Sequence, residues 1–126
     1  MKVKTKHLRA YSKPGVIIID LLDDHVIDHC QIYQIGNDIY RIMVASNQSN
    51  LIINFKIVDH LSSTFLSVLV ALMSKMRKRG GVIRIAGLSK GLQHLFKMTK
   101  LDHQFPNHEN VDSALVDLPL PLAQSA

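Results

Sequence analysis

The chain has 126 residues, enough for one domain with its own hydrophobic core and too few for a second domain of ordinary size. Lys and Arg number 15 against 10 Asp and Glu, so the formal charge is a modest +5. The single cysteine, Cys30, excludes an internal disulfide framework and a multi-cysteine zinc site, and we expect it to be a small apolar residue on a helix. No clear signal peptide is present, and the apolar part of residues 63–79 is too short and too rich in serine for a membrane span of about 20 residues. The sequence therefore predicts a cytoplasmic protein.

The amino-terminal segment predicts two strands. Residues 4–12 form the first, and Pro14-Gly15 is a turn that leads into the second. The second strand begins with the nearly continuous apolar run from Val16 to Ile19. Such runs are typical of strands that are covered on both faces, so we expect helices to pack against this sheet.

An amphipathic helix is predicted over residues 28–45, because apolar residues recur there mainly at steps of three and four. Its polar face is predicted to carry Gln31, Gln34, Asp38 and Arg41. Gly36 in its middle costs up to about 1 kcal/mol relative to alanine. This helix therefore depends on tertiary packing.

The next stretch joins a buried strand to a long helix, and the rest of the chain is organised around it. Residues 51–55 are β-branched and aromatic, and the apolar spacing then changes to that of a helix over residues 63–79. Ser62 or Ser63 can cap the helix, because a hydroxyl there accepts a hydrogen bond from a free amide of the first turn. Gly80 can supply the left-handed residue that follows its last turn.

The remaining chain repeats this order of elements. They are a buried strand at 82–86, a corner at 87–89, a helix capped by Ser89, a weak strand near 104–107 and a closing helix at 111–116. Pro106 favours an edge position or an irregular extension for the weak strand. The whole alternation predicts an α/β fold with a mixed, mostly parallel sheet and about four helices. We place one domain at residues 1–116 and a flexible tail at 117–126.

No catalytic or metal-binding motif stands out. The seven histidines are scattered; His25 and His29 are four positions apart and could share a helix face, but no zinc-hydrolase signature accompanies them. Glycine-rich nucleotide loops and a nucleophile elbow are absent. We therefore expect no enzyme, no cofactor and no metal.

Basic residues cluster near the amino terminus and at Lys75 to Arg79. The amino-terminal lysines are explained by solvation. The cations at Lys75 to Arg79 are explained by the negative end of the helix dipole, which stabilises positive charge in the last turn. Both explanations are better than nucleic-acid binding. Stacking aromatic residues are also not interleaved with the cations, as a single-strand binder requires. A basic nucleic-acid-binding domain remains the weakest alternative.

On a helical wheel, residues 64–79 separate into two faces. The predicted core side carries Phe65, Leu69, Leu72, Met73 and Met76, with Leu66 and Val68 at its edges. The opposite side carries Thr64 and a row of mostly small residues, which we call the docking ridge: Ser67, Ala71, Ser74 and Lys78. Small residues let another protein approach closely. A phosphate on Thr64 would be tolerated by the helix N-terminus but would put about two negative charges in a docking face.

The segment from Leu51 to Leu115, LIINFKIVDHLSSTFLSVLVALMSKMRKRGGVIRIAGLSKGLQHLFKMTKLDHQFPNHENVDSAL, resembles the STAS domain of bacterial anti-sigma factor antagonists. In that family a strand runs into Asp-Ser-Ser-Gly-Leu, a helix ends at Gly-Gly, and a strand, a helix and Thr-Gly-Leu follow. The resemblance covers residues from about 5 to 116. It implies a STAS-like single domain that binds an anti-sigma factor with serine kinase activity.

The resemblance also implies roles for single residues. The family's Asp falls on Ser62, its phosphorylated Ser on Thr64 and its Gly on Phe65, while Lys100 stands where Thr-Gly-Leu has its glycine. Thr64 is thus the candidate phosphoacceptor and Ser63 the second choice. The expected partner-binding residues are Ser62, Ser63, Thr64, Ser67, Ala71, Ser74 and Lys78, with Ser62 as the helix cap. A STAS subunit of another signalling or lipid-transport assembly, bound without phosphorylation, is the alternative.

Overall fold

The structure, a computed structural model, describes residues 1–118. Its elements in chain order are β1 (Lys2–Lys4), β2 (Leu8–Lys13), β3 (Val16–Leu21), β4 (His25–Val26), α1 (His29–Ala45), β5 (Asn50–Asn54), β6 (His60–Leu61), α2 (Ser63–Lys78), β7 (Ile83–Ala86), α3 (Lys90–Met98), β8 (Asn107–His108) and α4 (Val111–Val116). Residues 119–126, where most of the flexible tail is predicted, lie outside the described part.

Six strands form one mixed sheet in the order β1-β2-β3-β5-β7-β8. The β1-β2 and β2-β3 pairs are antiparallel, and the three pairs from β3 to β8 are parallel. In the centre, Ile18 is in register with Ile52, and Ile52 with Arg84. The predicted mixed, mostly parallel α/β sheet with four helices is confirmed.

Both faces of the sheet are covered, as the apolar run in β3 predicts. The larger core lies between one face and helices α1, α2 and α3, and it holds the four fully buried phenylalanines Phe55, Phe65, Phe96 and Phe105. The smaller core lies under α4, whose Ala114 packs with Val16, Ile18, Ile52 and Ala86. The sheet therefore holds three helices on one side and one on the other.

Helix α1 begins with a capping box. The Asp28 carboxylate accepts from Gln31 N at 3.0 Å, and the Gln31 side chain accepts from Asp28 N at 3.2 Å. Its apolar face is buried as predicted, but Asp38 is only 7% exposed rather than on an open polar face. The structure explains why a glycine stands in the middle of α1: an added Cβ at Gly36 would lie 2.8 Å from Val68 Cγ1 of α2. The glycine therefore permits close packing of the two helices.

The structure corrects or refines three local expectations. The single strand at 4–12 is a hairpin of β1 and β2, because Thr5 turns the chain by accepting from the amides of His7 and Leu8 at 3.4 and 3.3 Å. His25 lies in β4 and not on a helix face with His29, the first residue of α1. The weak last strand is β8, placed after Pro106; it does occupy an edge of the sheet.

Lys100 adopts the left-handed backbone conformation that glycine usually occupies. Its φ of 61° is the only positive φ of a non-glycine residue in the described chain. It follows α3, where Lys100 N donates to Lys97 O at 3.1 Å and Leu101 N to Phe96 O at 2.8 Å, the paired hydrogen bonds of a Schellman motif. The position at which the resemblance has glycine is thus left-handed in this chain.

We expect Lys100→Gly to raise the free energy of unfolding by about 1 kcal/mol, because glycine adopts left-handed φ without a Cβ clash. Lys97→Gly, in the last turn of the same helix, is the matched control and should lower it by up to about 1 kcal/mol. Urea unfolding followed by circular dichroism measures both. Unchanged or lower stability of Lys100→Gly would contradict the assignment.

Gly81 must be glycine for a different reason. An added Cβ would lie 1.3 Å from the carbonyl oxygen of Ser49, so the backbone would have to move. We expect Gly81→Ala to lower the free energy of unfolding by more than about 2 kcal/mol. In the same assay Gly91→Ala, which has open space around its site in α3, should be neutral or stabilising by up to about 1 kcal/mol. Equal stabilities of the two variants would refute the close approach.

Candidate functional site

The corner before α2 is fixed by backbone and side-chain hydrogen bonds. Ser62 N donates to Val26 O at 2.9 Å, which ties the corner to β4. Ser62 Oγ accepts from Thr64 N at 3.1 Å, and Ser62 has the extended φ and ψ of a helix N-cap. Of the two predicted caps, the structure selects Ser62.

Phe65 turns inward. Its ring is fully buried and meets the ring of Phe55 edge to face, with centroids 6.1 Å apart. The family's glycine at this position is therefore replaced without placing a ring on the surface. Residues around Phe65 on the outer side of α2 stay small.

The docking ridge lies on the solvent side of α2. Ser63 and all four ridge residues are exposed, whereas Ser62 and Thr64 are half-buried. The predicted core residues Phe65, Leu69, Leu72, Met73 and Met76 are buried on the opposite side, together with Leu66. The structure thus brings the seven predicted partner-binding residues onto one continuous surface, and their role in binding stays a prediction.

Helix α1 runs beside α2 in the same direction. Three approaches join them, in order along both helices: Gly36 to Val68, Tyr40 to Lys75 and Ser46 to Arg79 just after the helix ends. Thr64 lies four residues, or about one turn, before Val68 and hence on the same side of α2. Thr64 therefore faces the groove between the two helices, which we call the α1–α2 groove.

An exposed apolar stripe borders this groove, and the sequence analysis missed it. It consists of Tyr33, Tyr40 and Val44 of α1, which are 58%, 41% and 56% exposed, and we call it the tyrosine stripe. Tyr33 lies about one turn before Gly36, level with Thr64 across the groove. The signal was in the sequence, since steps of seven and four place these residues on one helix face.

A two-stranded parallel sheet of β4 and β6 supports the corner from below. The rings of His25 and His60 stack in it, with centroids 4.4 Å apart and planes 15° from parallel. The His25 side chain hydrogen-bonds Asp24 and lowers the pKa of that exposed carboxyl. Neither histidine lies with enough further ligands to hold a metal, and no cluster of three or more metal-ligating side chains occurs in residues 1–118.

The comparisons with known proteins identify the fold. A family model for the STAS domain matches residues 7–114, so the chain belongs to the STAS domain family. This agrees with the resemblance seen in the sequence. No curated protein sequence matches the chain. Among the described residues, no helix is both long and apolar enough to cross a membrane.

Solved structures of anti-sigma factor antagonists share this fold. One from Mycobacterium paratuberculosis is 23% identical, with a TM-score of 0.76 over 88% of this chain and 92% of that one. The antagonist SpoIIAA in its unphosphorylated form is 16% identical, with a TM-score of 0.73 over 86% and 92%. Bacillus SpoIIAA in its phosphorylated form is 15% identical, with a TM-score of 0.66 over 86% and 96%.

A membrane transporter contains a similar fold. The murine anion transporter Slc26a9 is 12% identical to this chain, with a TM-score of 0.70. The match covers 92% of this chain but only 19% of the transporter. A STAS fold therefore also occurs as a small part of a larger transport protein.

We expect Ser62→Ala to lower the free energy of unfolding by about 1 kcal/mol, because it removes the acceptor for Thr64 N. Ser63→Ala is the matched control: Ser63 is exposed, and alanine is well tolerated in the first turn. Thermal and urea unfolding measure both variants. If the two substitutions have the same effect, the cap does not stabilise α2 in the way the hydrogen bond indicates.

Proposed function

We propose that the protein is a cytoplasmic, non-enzymatic binding module that captures an anti-sigma factor with serine kinase activity. Its binding surface is the corner from Ser62 to Thr64 together with the docking ridge. The observation that carries the proposal is the inward turn of Phe65, which leaves a small, polar helix face beside Thr64 in a STAS domain. Similarity in fold to anti-sigma factor antagonists supports the class of partner.

In this proposal Thr64 is the phosphoacceptor. It lies in the first turn of α2, half-buried at the groove, so its hydroxyl is near the surface that a kinase would cover. No acidic residue occupies this first turn, and the free amides there stabilise added negative charge. The same charge would oppose docking of the partner, because an interface must desolvate it. Structures of SpoIIAA in both forms support a switch of this kind.

A second candidate is a STAS subunit of another assembly that binds its partner without phosphorylation. Two observations favour it. Ser62 caps the helix without the negative charge of the family's aspartate. The similar domain in Slc26a9 belongs to a transporter. In this case the docking ridge would bind protein and Thr64 would remain unmodified.

Phosphorylation of Thr64 is tested by intact mass after incubation with ATP and the anti-sigma kinase encoded nearest to this gene. We expect a gain of one phosphate that Thr64→Val abolishes and Ser63→Ala does not. If only Ser63→Ala lost the phosphate, the phosphoacceptor would be Ser63 and not Thr64. Retained binding with no phosphate incorporation would favour the second candidate.

Binding is tested by calorimetric titration of the same kinase with Thr64→Glu. We expect affinity to fall at least about tenfold, or about 1.4 kcal/mol, because the carboxylate places a charge in the docking face. Thr64→Val, of nearly the same size and without charge, should bind within about twofold of the unmodified protein. Unchanged affinity of a folded Thr64→Glu protein would contradict the proposal.

A further inference from the structure

The exposed charges of α1 and α2 have one sign. Helix α2 contains no acidic residue, and the only one in α1, Asp38, is buried. The exposed charged residues of the two helices are Arg41, Lys75, Arg77 and Lys78. Lys75 lies over the Tyr40 ring of α1, and Lys78 lies three residues further on in α2. These two exposed cations give this part of the groove a positive potential, which raises the local concentration of acidic partners.

The tyrosine stripe adds apolar contact area to this charge. Tyr33 and Tyr40 are large residues of the type that dominates protein interfaces, and they lose little conformational entropy when they are covered. Lys75 Nζ lies 4.3 Å from the centroid of the Tyr40 ring, so cationic and aromatic groups form one patch. The hydrophobic core does not use the stripe, because the core side of α1 is made by other residues.

We propose that the tyrosine stripe and the cations along the α1–α2 groove dock an acidic, amphipathic helix of a protein partner. Its apolar side would cover Tyr33, Tyr40 and Val44, and its carboxylates would pair with Lys75 and Lys78. This goes beyond the function proposed above, because it needs neither a kinase nor a phosphate on Thr64. It adds a second contact area, on α1, to the docking ridge on α2.

Other occupants fit this surface less well. In a symmetric dimer of this chain the patch would face its own positive charge. Nucleic-acid bases would have to stack on tyrosine rings, and the Tyr40 ring is already in contact with Lys75. A membrane surface calls for a broad apolar helix face, whereas this stripe has three residues, two of which carry hydroxyls.

The test uses the whole protein and two synthetic probes. One is an amphipathic helical peptide of leucine and glutamate; the other has lysine in place of every glutamate. Binding is measured by fluorescence anisotropy and mapped by amide chemical shifts. We expect the acidic peptide alone to bind, to shift the amides of α1 around Tyr33 to Val44, and to lose affinity as salt rises. Equal binding of both peptides, or no binding, would overturn the proposal.

Variants distinguish binding at this surface from non-specific binding of the peptide. Tyr33→Ser with Tyr40→Ser, and Lys75→Glu with Lys78→Glu, should each weaken the acidic peptide at least tenfold. Met98→Ser is the matched control, since Met98 is 69% exposed on α3 and away from the groove. Tyr40→Phe keeps the ring and should retain binding. Thermal unfolding verifies that each variant is folded, and a control that weakens binding as much as the tyrosine pair would refute the site.

Vesicles that contain anionic phospholipid provide the competing outcome. We expect no co-sedimentation with them at physiological salt. Vesicle binding that the tyrosine pair abolishes would replace the protein partner by a membrane surface and overturn the proposal. The kinase titration of Thr64→Glu is independent of these results, so failure of one proposal is distinguishable from failure of the other.

Discussion

The close approach of α1 to α2 at Gly36 is the constraint on which the candidate surface depends. A Cβ at this position would lie 2.8 Å from Val68 Cγ1, so any other residue would require Val68 or one of the helices to shift. That spacing sets the register in which Thr64 faces the groove and Tyr33 lies level with it. Gly36 lowers the intrinsic helical stability of α1, and it also permits the close packing that positions both sides of the candidate surface.

The order of the large elements could be predicted because their signals are local. Apolar spacing and caps at Ser62, Gly80 and Ser89 mark α2 and α3 at their ends. The two-residue strands β4 and β6 could not be predicted, because so short a run has no periodicity and forms only by pairing across the fold. The hairpin turn at Thr5 lacks the usual Gly, Pro or Asn, since a threonine hydroxyl replaces them.

The candidate surface also has features that local sequence signals predict and features that depend on tertiary contacts. A helical wheel places the docking ridge and the inward Phe65 correctly, because both lie on one helix. Periodicity alone could have found the tyrosine stripe. Its position beside the groove could not be predicted, because it depends on the contact between Gly36 and Val68, which are distant in sequence. Asp38 was assigned to a polar face because periodicity shows only which residues are apolar. In the structure Asp38 is buried beside Thr5, Lys6 and His7 of the turn between β1 and β2, a contact that is distant in sequence.

The neutral cap at Ser62 has a consequence for the energetics of a modified Thr64. With no acidic group in the first turn of α2, the positive pole of the helix is not compensated. An aspartate cap would already compensate it and would repel a phosphate two positions away. Here a phosphate would meet the uncompensated amides of the first turn, so we expect modification to stabilise α2 while it weakens the interface. Thermal stability and affinity for the partner would then change in opposite directions.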